Sequence, residues 1–191
     1  MSILKVARMG HPVLRARAKA IDPGDIKSPR LQHLIDDMFE TMREYQGVGL
    51  AAPQVHVSLR LFVAGFSPEP GLEPDEDEDD RDQERGPLMA LINPEITPVG
   101  SAIDEDWEGC LSIPDIRGKV PRAREIQVKA YDRTGRRVEL RARGFTARVI
   151  QHETDHLDGL LFFDRMKSFD TLTFLDEFGR FWNARRTVPE E

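Results

Sequence analysis

The chain has 191 residues, 39% hydrophobic and 32% charged, which allows one globular domain with a real core and falls short of a second. No apolar run approaches the roughly 20 residues that a membrane span requires. The net charge of −7 offers no basic stripe for direct nucleic-acid readout, and the single cysteine, Cys110, excludes an intramolecular disulfide and agrees with a reducing compartment.

The first residues, MSILKVARMGHPVL, lack the apolar core of a secretory signal and the Ser- and Arg-rich character of an organelle leader. The expectation is a cytoplasmic protein that begins near Met1. Ser28-Pro29 opens the clearest helix, because serine suits the N-cap and proline the first helical position. Leu31, Leu34, Ile35, Met38 and Met42 follow at helical spacing on one face. Gly47 is expected to end this helix in the left-handed conformation. The chain then passes directly into Gly47-Val48-Gly49-Leu50-Ala51-Ala52-Pro53-Gln54.

Leu59 to Phe66 reads as a strand. Residues 67–87 are rich in Pro, Gly, Asp and Glu with almost nothing to bury, and read as an exposed, flexible insertion. Between Glu69 and Arg85 stand ten acidic residues and two arginines, a local balance of −8; taken from −7, that leaves +1 for the rest of the chain. The spacing of these acids fits no calcium loop of the EF-hand kind. Strands are expected at Leu88 to Asn93 and, separately, between Glu95 and Ile103. Ile126, Val128 and Ala130 alternate with polar residues, as do Val138, Leu140 and Ala142; the turn sequence Asp132-Arg133-Thr134-Gly135 between them predicts a β-hairpin. A second helix is predicted from about Thr146 through Leu157, stopping near Gly159. A last amphipathic helix, from about Phe169 to Trp182, carries Leu172, Leu175, Phe178 and Trp182 as a stripe expected to join the core. This order of elements argues for one α+β domain over residues 1–191. Its antiparallel or mixed sheets are expected to pack around the central helix, with a helix at the C-terminus.

The strongest local signal lies on that central helix, His152-Glu153-Thr154-Asp155-His156. Positions i and i+4 share a helix face, so the two imidazoles can grip one metal ion while the glutamate between them reaches a water held there. Such a site wants a third protein ligand. The metzincin continuation fails, because Gly159 is in place but Phe162 stands where the third histidine is required. Glu177, on the last predicted helix, is the acid that a different peptidase pattern would use. Upstream, Glu108-Gly109-Cys110-Leu111-Ser112 offers a thiolate, which with two imidazoles suits zinc or ferrous iron. On residue chemistry alone, both third ligands stay open.

Three segments, Gly47 to Gln54, Glu108 to Ser112 and Gln151 to Leu157, resemble the three signature motifs of peptide deformylases in order and spacing. His11-Pro12-Val13-Leu14 and the stretch Ile113 to Arg122 are also similar to that family, and the likeness runs over roughly residues 3–165 apart from the acidic insertion. The resemblance implies a metal-dependent hydrolase that removes the formyl group from N-formylmethionine on nascent chains. In it, Cys110, His152 and His156 bind the metal and Glu153 acts as base and then acid. Gln54 and the Leu111 N–H stabilise the oxyanion. It implies ferrous iron as the native ion, with zinc, nickel or cobalt in purified material. Gly47 and Gly49 are expected to supply unusual dihedrals and a close approach to the substrate. Val48, Gly49, Phe145, Arg148 and Val149 line the substrate site, with Arg148 either sending its charge to solvent or lying on the helix surface, and Arg117 lies near the peptide backbone. Contact of the C-terminal helix with the ribosome stands second to packing on the body.

Two rivals are weighed: an HExxH zinc peptidase, for which Cys110 is dispensable, and a non-enzymatic binding relative, which the intact set of motif residues disfavours. Because the acidic stretch lies away from all three motifs, deleting residues 69–85 is expected to leave turnover within a few-fold. A collapse of activity in a folded deletion variant would contradict this.

Overall fold

The computed structural model describes residues 2–65 and 88–182; the insertion read at 67–87 lies outside the described residues. Among the described residues the strands form two antiparallel sheets. The larger runs β1 (Gly49–Ala51), β2 (Leu61–Ala64), β3 (Met89–Pro98), β6 (Glu125–Tyr131) and β7 (Arg137–Arg143) in that spatial order. The smaller joins β4 (Ile103–Cys110), β5 (Ile113–Ala123) and β8 (Thr173–Phe174). No helix among these residues is long and apolar enough to cross a membrane.

Two helices sandwich the larger sheet. α1 (Pro29–Glu44) packs Leu31, Ile35, Met38 and Met42 against Leu50, Leu61, Val63, Ala90 and Ile92. α2 (Gly144–Leu157) packs Ala147, Ile150 and Leu157 against Ala51, Phe62, Ala64, Leu91, Ile126 and Val128. Side chains alternate between the faces of a strand, so Leu61 and Val63 meet α1 while Phe62 and Ala64 meet α2. Both faces are covered, which explains why β2 is an uninterrupted buried apolar run. α2 also touches β5, so it lies between the two sheets as the central helix. A third apolar cluster, with Leu14, Ile113, Val120, Leu161 and Phe162 at its heart, closes the smaller sheet against the N-terminal segment.

Several boundaries differ from the sequence reading, each for a local reason. Ser28 caps α1 as expected, but Gln46 (φ 53°), not Gly47, takes the left-handed position that ends it. The Gln46 and Gly47 N–H groups donate to Arg43 and Met42, so a Schellman closure forms one residue early. The strand expected at Leu59 to Phe66 is observed from Leu61 to Ala64, and Phe66 lies outside the described residues. The strands expected on either side of Glu95 are one strand, β3, with an irregularity between Ile92 and Glu95. Asn93 absorbs it in the left-handed region (φ 51°), its side chain bonding both the N–H and C=O of Ile21 at 2.9 and 2.7 Å. α2 begins two residues earlier than predicted, at Gly144.

The final helix is the largest correction. Residues 169–172 are not helical: Thr173 and Phe174 pair with Arg117 and Ile116 on the free edge of β5, and Thr171 accepts from the Lys119 N–H at 3.1 Å. Helical geometry starts at Leu175, as a short α turn (Leu175–Glu177) running into a π turn (Phe178–Trp182). Its stripe does not enter the core. Phe178 and Trp182 meet Trp107 edge-on at 4.8 and 5.3 Å, while Phe174 and Phe181 remain largely exposed.

Gly159 ends α2 with φ 75°, and an added Cβ there would stand 2.7 Å from the Arg15 carbonyl oxygen. Gly100 has a similar φ of 74° but open space around it. Thermal denaturation should therefore find Gly100→Ala destabilised by about 1 kcal/mol from backbone strain alone, and Gly159→Ala by clearly more. Equal losses would mean that the Arg15 contact is not a constraint.

Candidate metal centre

α2 and the C-terminal end of β4 bring three ligating side chains together. The ligand atoms of Cys110, His152 and His156 all lie within 4.8 Å of one another. The Cys110 Sγ and His156 Nε2 are 3.3 Å apart, and the two imidazoles stand nearly perpendicular with centroids 5.0 Å apart. His152 turns its Nδ1 to the Glu108 carboxylate at 2.9 Å, which leaves Nε2 for the cluster. A thiolate with two imidazoles is a donor set for zinc or ferrous iron, and the arrangement fits a divalent metal. His156 Nδ1 and Glu153 Oε2 are buried without a hydrogen-bond partner among the described residues. Phe162, which breaks the metzincin pattern, instead stacks on His152 at 6.5 Å. Glu177 pairs with Arg180 on the C-terminal turn and is not part of the cluster.

The cluster faces a cleft of about 900 Å³ lined by Val48, Gly49, Gln54, Cys110, Leu111, Arg117, Phe145, Arg148, Val149, His152 and Glu153. The cleft thus gathers all the site residues singled out in the sequence except His156, which is buried. Val48 and Phe145 are well exposed at its mouth and Val149 is buried in its wall.

One expectation about the first motif changes. Neither Gly47 nor Gly49 has a positive φ. What they provide is space: a Cβ on Gly49 would stand 2.7 Å from Glu153 Cδ, and one on Gly47 would stand 2.9 Å from Leu111 Cδ1. Gln54, 2% exposed, has its orientation set by the backbone. The Ala51 N–H donates to Oε1 at 2.8 Å, so Nε2 faces Ser112 Oγ at 3.2 Å and Cys110 Sγ at 3.5 Å.

Arg148 is neither a surface residue nor a stem with a solvated head. It is 4% exposed and bonds Glu108 Oε1 at 2.9 Å and the carbonyls of Val120 (2.7 Å), Asp104 (2.8 Å) and Asp106 (3.3 Å). The sequence reading gave no role to Glu108, Arg122 or Asp155. Arg122 donates to Glu108 at 2.8 and 2.9 Å and to Asp155 at 2.5 Å, and Arg165 also holds Asp155. The available signal was two carboxylates inside the motifs, adjacent to the candidate ligands; nothing in the sequence marked Arg122 as their partner.

The environment splits the two glutamates. Burial pushes the Glu108 carboxyl up, but Arg122 and His152 outweigh it and hold it at about 2. Burial raises Glu153 to about 7, and the nearby charges of His152 and Arg122, which pull it down, do not offset this. Burial and the neighbouring His152 lower His156, whereas in His152 Cys110 and Glu108 override burial and raise it.

The sequence model of the family described as polypeptide deformylase matches residues 3–171. The chain is 45% identical over 164 residues to peptide deformylase 1 of Bordetella pertussis, covering 85% of this chain and 86% of that protein. It is 44% identical over 167 residues to peptide deformylase 2 of Pseudomonas putida, covering 87% and 89%. Among solved structures, a Met-Ala-Ser-bound class I type b peptide deformylase from Acinetobacter baumannii superposes with a TM-score of 0.77 at 39% identity, over 87% of this chain and all of that one. The peptide deformylase of Thermotoga maritima gives 0.73 at 38% identity, over 88% and 100%.

The buried ion network carries its own prediction. Glu108→Ala leaves two buried guanidinium groups short of a counter-charge and should cost about 3–5 kcal/mol in denaturant unfolding. Arg148→Met leaves Glu108 paired with Arg122 and should cost less, about 1–3 kcal/mol. A larger loss from Arg148→Met than from Glu108→Ala would contradict the assignment of Glu108 as the shared acceptor.

Proposed function

The chain belongs to the peptide deformylase family, hydrolases that remove the formyl group from N-formylmethionine, and from that premise we propose which of its residues perform the reaction. The observation that carries the assignment is the convergence of Cys110, His152 and His156 beside the buried Glu153 carboxylate, with all but His156 lining the cleft. Cys110, His152 and His156 hold the metal, with ferrous iron as the native ion and zinc, nickel or cobalt as replacements. When bound, the metal supplies Lewis-acid polarisation of water and of the formyl carbonyl.

Glu153 takes a proton as the water oxygen bonds to the formyl carbon and the carbonyl electron pair moves onto oxygen. The Gln54 side-chain N–H and the Leu111 backbone N–H donate to that oxygen. The orientation that Ala51 imposes on Gln54 supports this role, because it turns the amide NH₂ toward the cluster. The C–N bond then breaks, Glu153 returns the proton to the nitrogen, and formate and a free α-amine leave. Val48, Gly49, Phe145 and Val149 receive the methionine end of the substrate. Arg148 lines the same cleft but is held by its own ion pair, and Arg117 lies along the peptide.

The chain acts as one catalytic domain over residues 1–191, in the cytoplasm, on nascent polypeptides. The exposed Phe174, Phe181 and Trp182 at the C-terminal turn support a contact with the ribosome beyond packing on Trp107. The peptidase alternative is not favoured, since Cys110 rather than Glu177 joins the histidines.

Protein purified without oxygen should release formate from formyl-Met-Ala-Ser, with about one metal per chain. Glu153→Ala should keep the metal and lose release, and Gln54→Ala should lower kcat by about 10²–10³. No release from folded, metal-loaded protein would overturn the assignment, as would a Glu153→Ala variant that kept full activity.

A further inference from the structure

Three unpaired cations share the cleft with the metal centre. Lys5, Arg8 and Arg117 line it, and among the described residues none of them makes an ion pair. The segment carrying Lys5 and Arg8 is held in place, since the Ala7 N–H donates to the Gln54 carbonyl at 2.7 Å and the Met9 N–H to the Ser112 carbonyl at 2.8 Å. Val6 and Ala7 are buried beneath it, which leaves Lys5 and Arg8 exposed. Arg117 lies across the Gly109 main chain, where a Cβ would come 2.6 Å from its Nη1.

Opposing charge is small. Asp115 and the buried Glu153 line the cleft, and Glu108 and Arg148, which also line it, pair with each other at 2.9 Å. The rest of the chain outside residues 69–85 carries only +1, so the cations are a local concentration and not the expression of a basic protein. They stand on different elements from the apolar residues of α2 that line the cleft. Lys5 and Arg8 lie beside Gln54 and Ser112, and Arg117 is on β5, whereas Phe145 and Val149 are on α2.

We propose that Lys5, Arg8 and Arg117 read charge on the substrate downstream of formyl-methionine, favouring acidic over basic residues at its third and fourth positions. The proposal rests on the deformylase reading of the cleft. A single exposed pair in water contributes little, but several charges of one sign on a concave wall focus potential and raise encounter with a complementary partner. Such a preference acts on capture of the substrate and is screened by salt. It therefore belongs to KM and not to kcat.

The test uses the metal-loaded enzyme and three amidated peptides, formyl-Met-Ala-Xaa-Xaa with Xaa as Glu, Gln or Lys. At low ionic strength kcat/KM should fall from Glu through Gln to Lys, with about ten-fold between the ends, and the span should contract at about 0.5 M salt. Lys5→Gln with Arg8→Gln should narrow the Glu-to-Lys ratio, and Lys5→Glu with Arg8→Glu should narrow it further or reverse it. Hydrolysis of all three peptides at equal kcat/KM would overturn the charge reading, leave the deformylase reading intact, and assign the cations to an anionic partner other than the substrate. A ratio that neither double variant moves would overturn it as well. Hydrolysis of none of the peptides would remove the deformylase reading and the proposal together.

Discussion

The carboxylate of Glu108 is the point at which the two halves of the site are joined. It is 5% exposed, and taking a charge out of water costs several kcal/mol unless donors replace the solvent. Those donors come from two other elements: Arg122 on β5, and Arg148 and His152 on α2. Sliding α2 against the smaller sheet would strip this carboxylate of Arg148 and His152, so the network fixes the helix that carries both histidines. Asp155 repeats the arrangement one turn beyond His152, accepting from Arg122 and Arg165. Because Arg148, His152 and His156 follow one another at four-residue steps, one face of α2 carries both the clamp and the candidate ligands.

On the opposite side of α2 the constraint is steric. β1 turns Leu50 toward α1 and Ala51 toward α2, and Gly49 is in register with Ala51 on the α2 side. A glycine there lets the Glu153 side chain lie against the backbone of β1. The pleat of a three-residue strand thus decides how close the carboxylate comes to the wall of the cleft. Gln54 follows on a short 3₁₀ turn, and its amide is oriented by the N–H of the residue at the end of that strand. The motif from Gly47 to Gln54 is therefore a compact piece of scaffolding in which spacing matters more than flexibility.

Much of this was legible in the sequence, and what was not has physical causes. The helix carrying His152 and His156, the hairpin of β6 and β7, and the N-cap at Ser28 followed from periodicity and capping chemistry, which are local. The cluster of Cys110 with the histidines was suggested by ligand chemistry, but the residues alone left Glu177 open; only the fold brings Cys110 in and keeps Glu177 with Arg180. The final helix misled because Leu172, Leu175, Phe178 and Trp182 do have helical spacing, yet a free strand edge on β5 captured Thr173 and Phe174 first. Arg148 misled because an arginine reads as exposed until its partners are known, and those partners lie 28 to 44 residues away.

Two carboxylates of one type, 45 positions apart in sequence and adjacent to the same candidate ligands, end in opposite states. Glu108 is saturated with donors and held at about 2, so it stays charged and serves as a fixed anchor. Glu153 is equally buried but keeps one oxygen without a partner among the described residues and is pushed up to about 7. A carboxylate that must accept and return a proton near neutral pH cannot be tied up by arginines, and one that must orient an imidazole cannot be allowed to protonate. The fold separates the two tasks by pairing the guanidinium groups of Arg122 and Arg148 with Glu108 and laying Glu153 against the β1 main chain at Gly49. The Glu153 oxygen that has no partner among the described residues thus stands where the proposed reaction brings a proton to it.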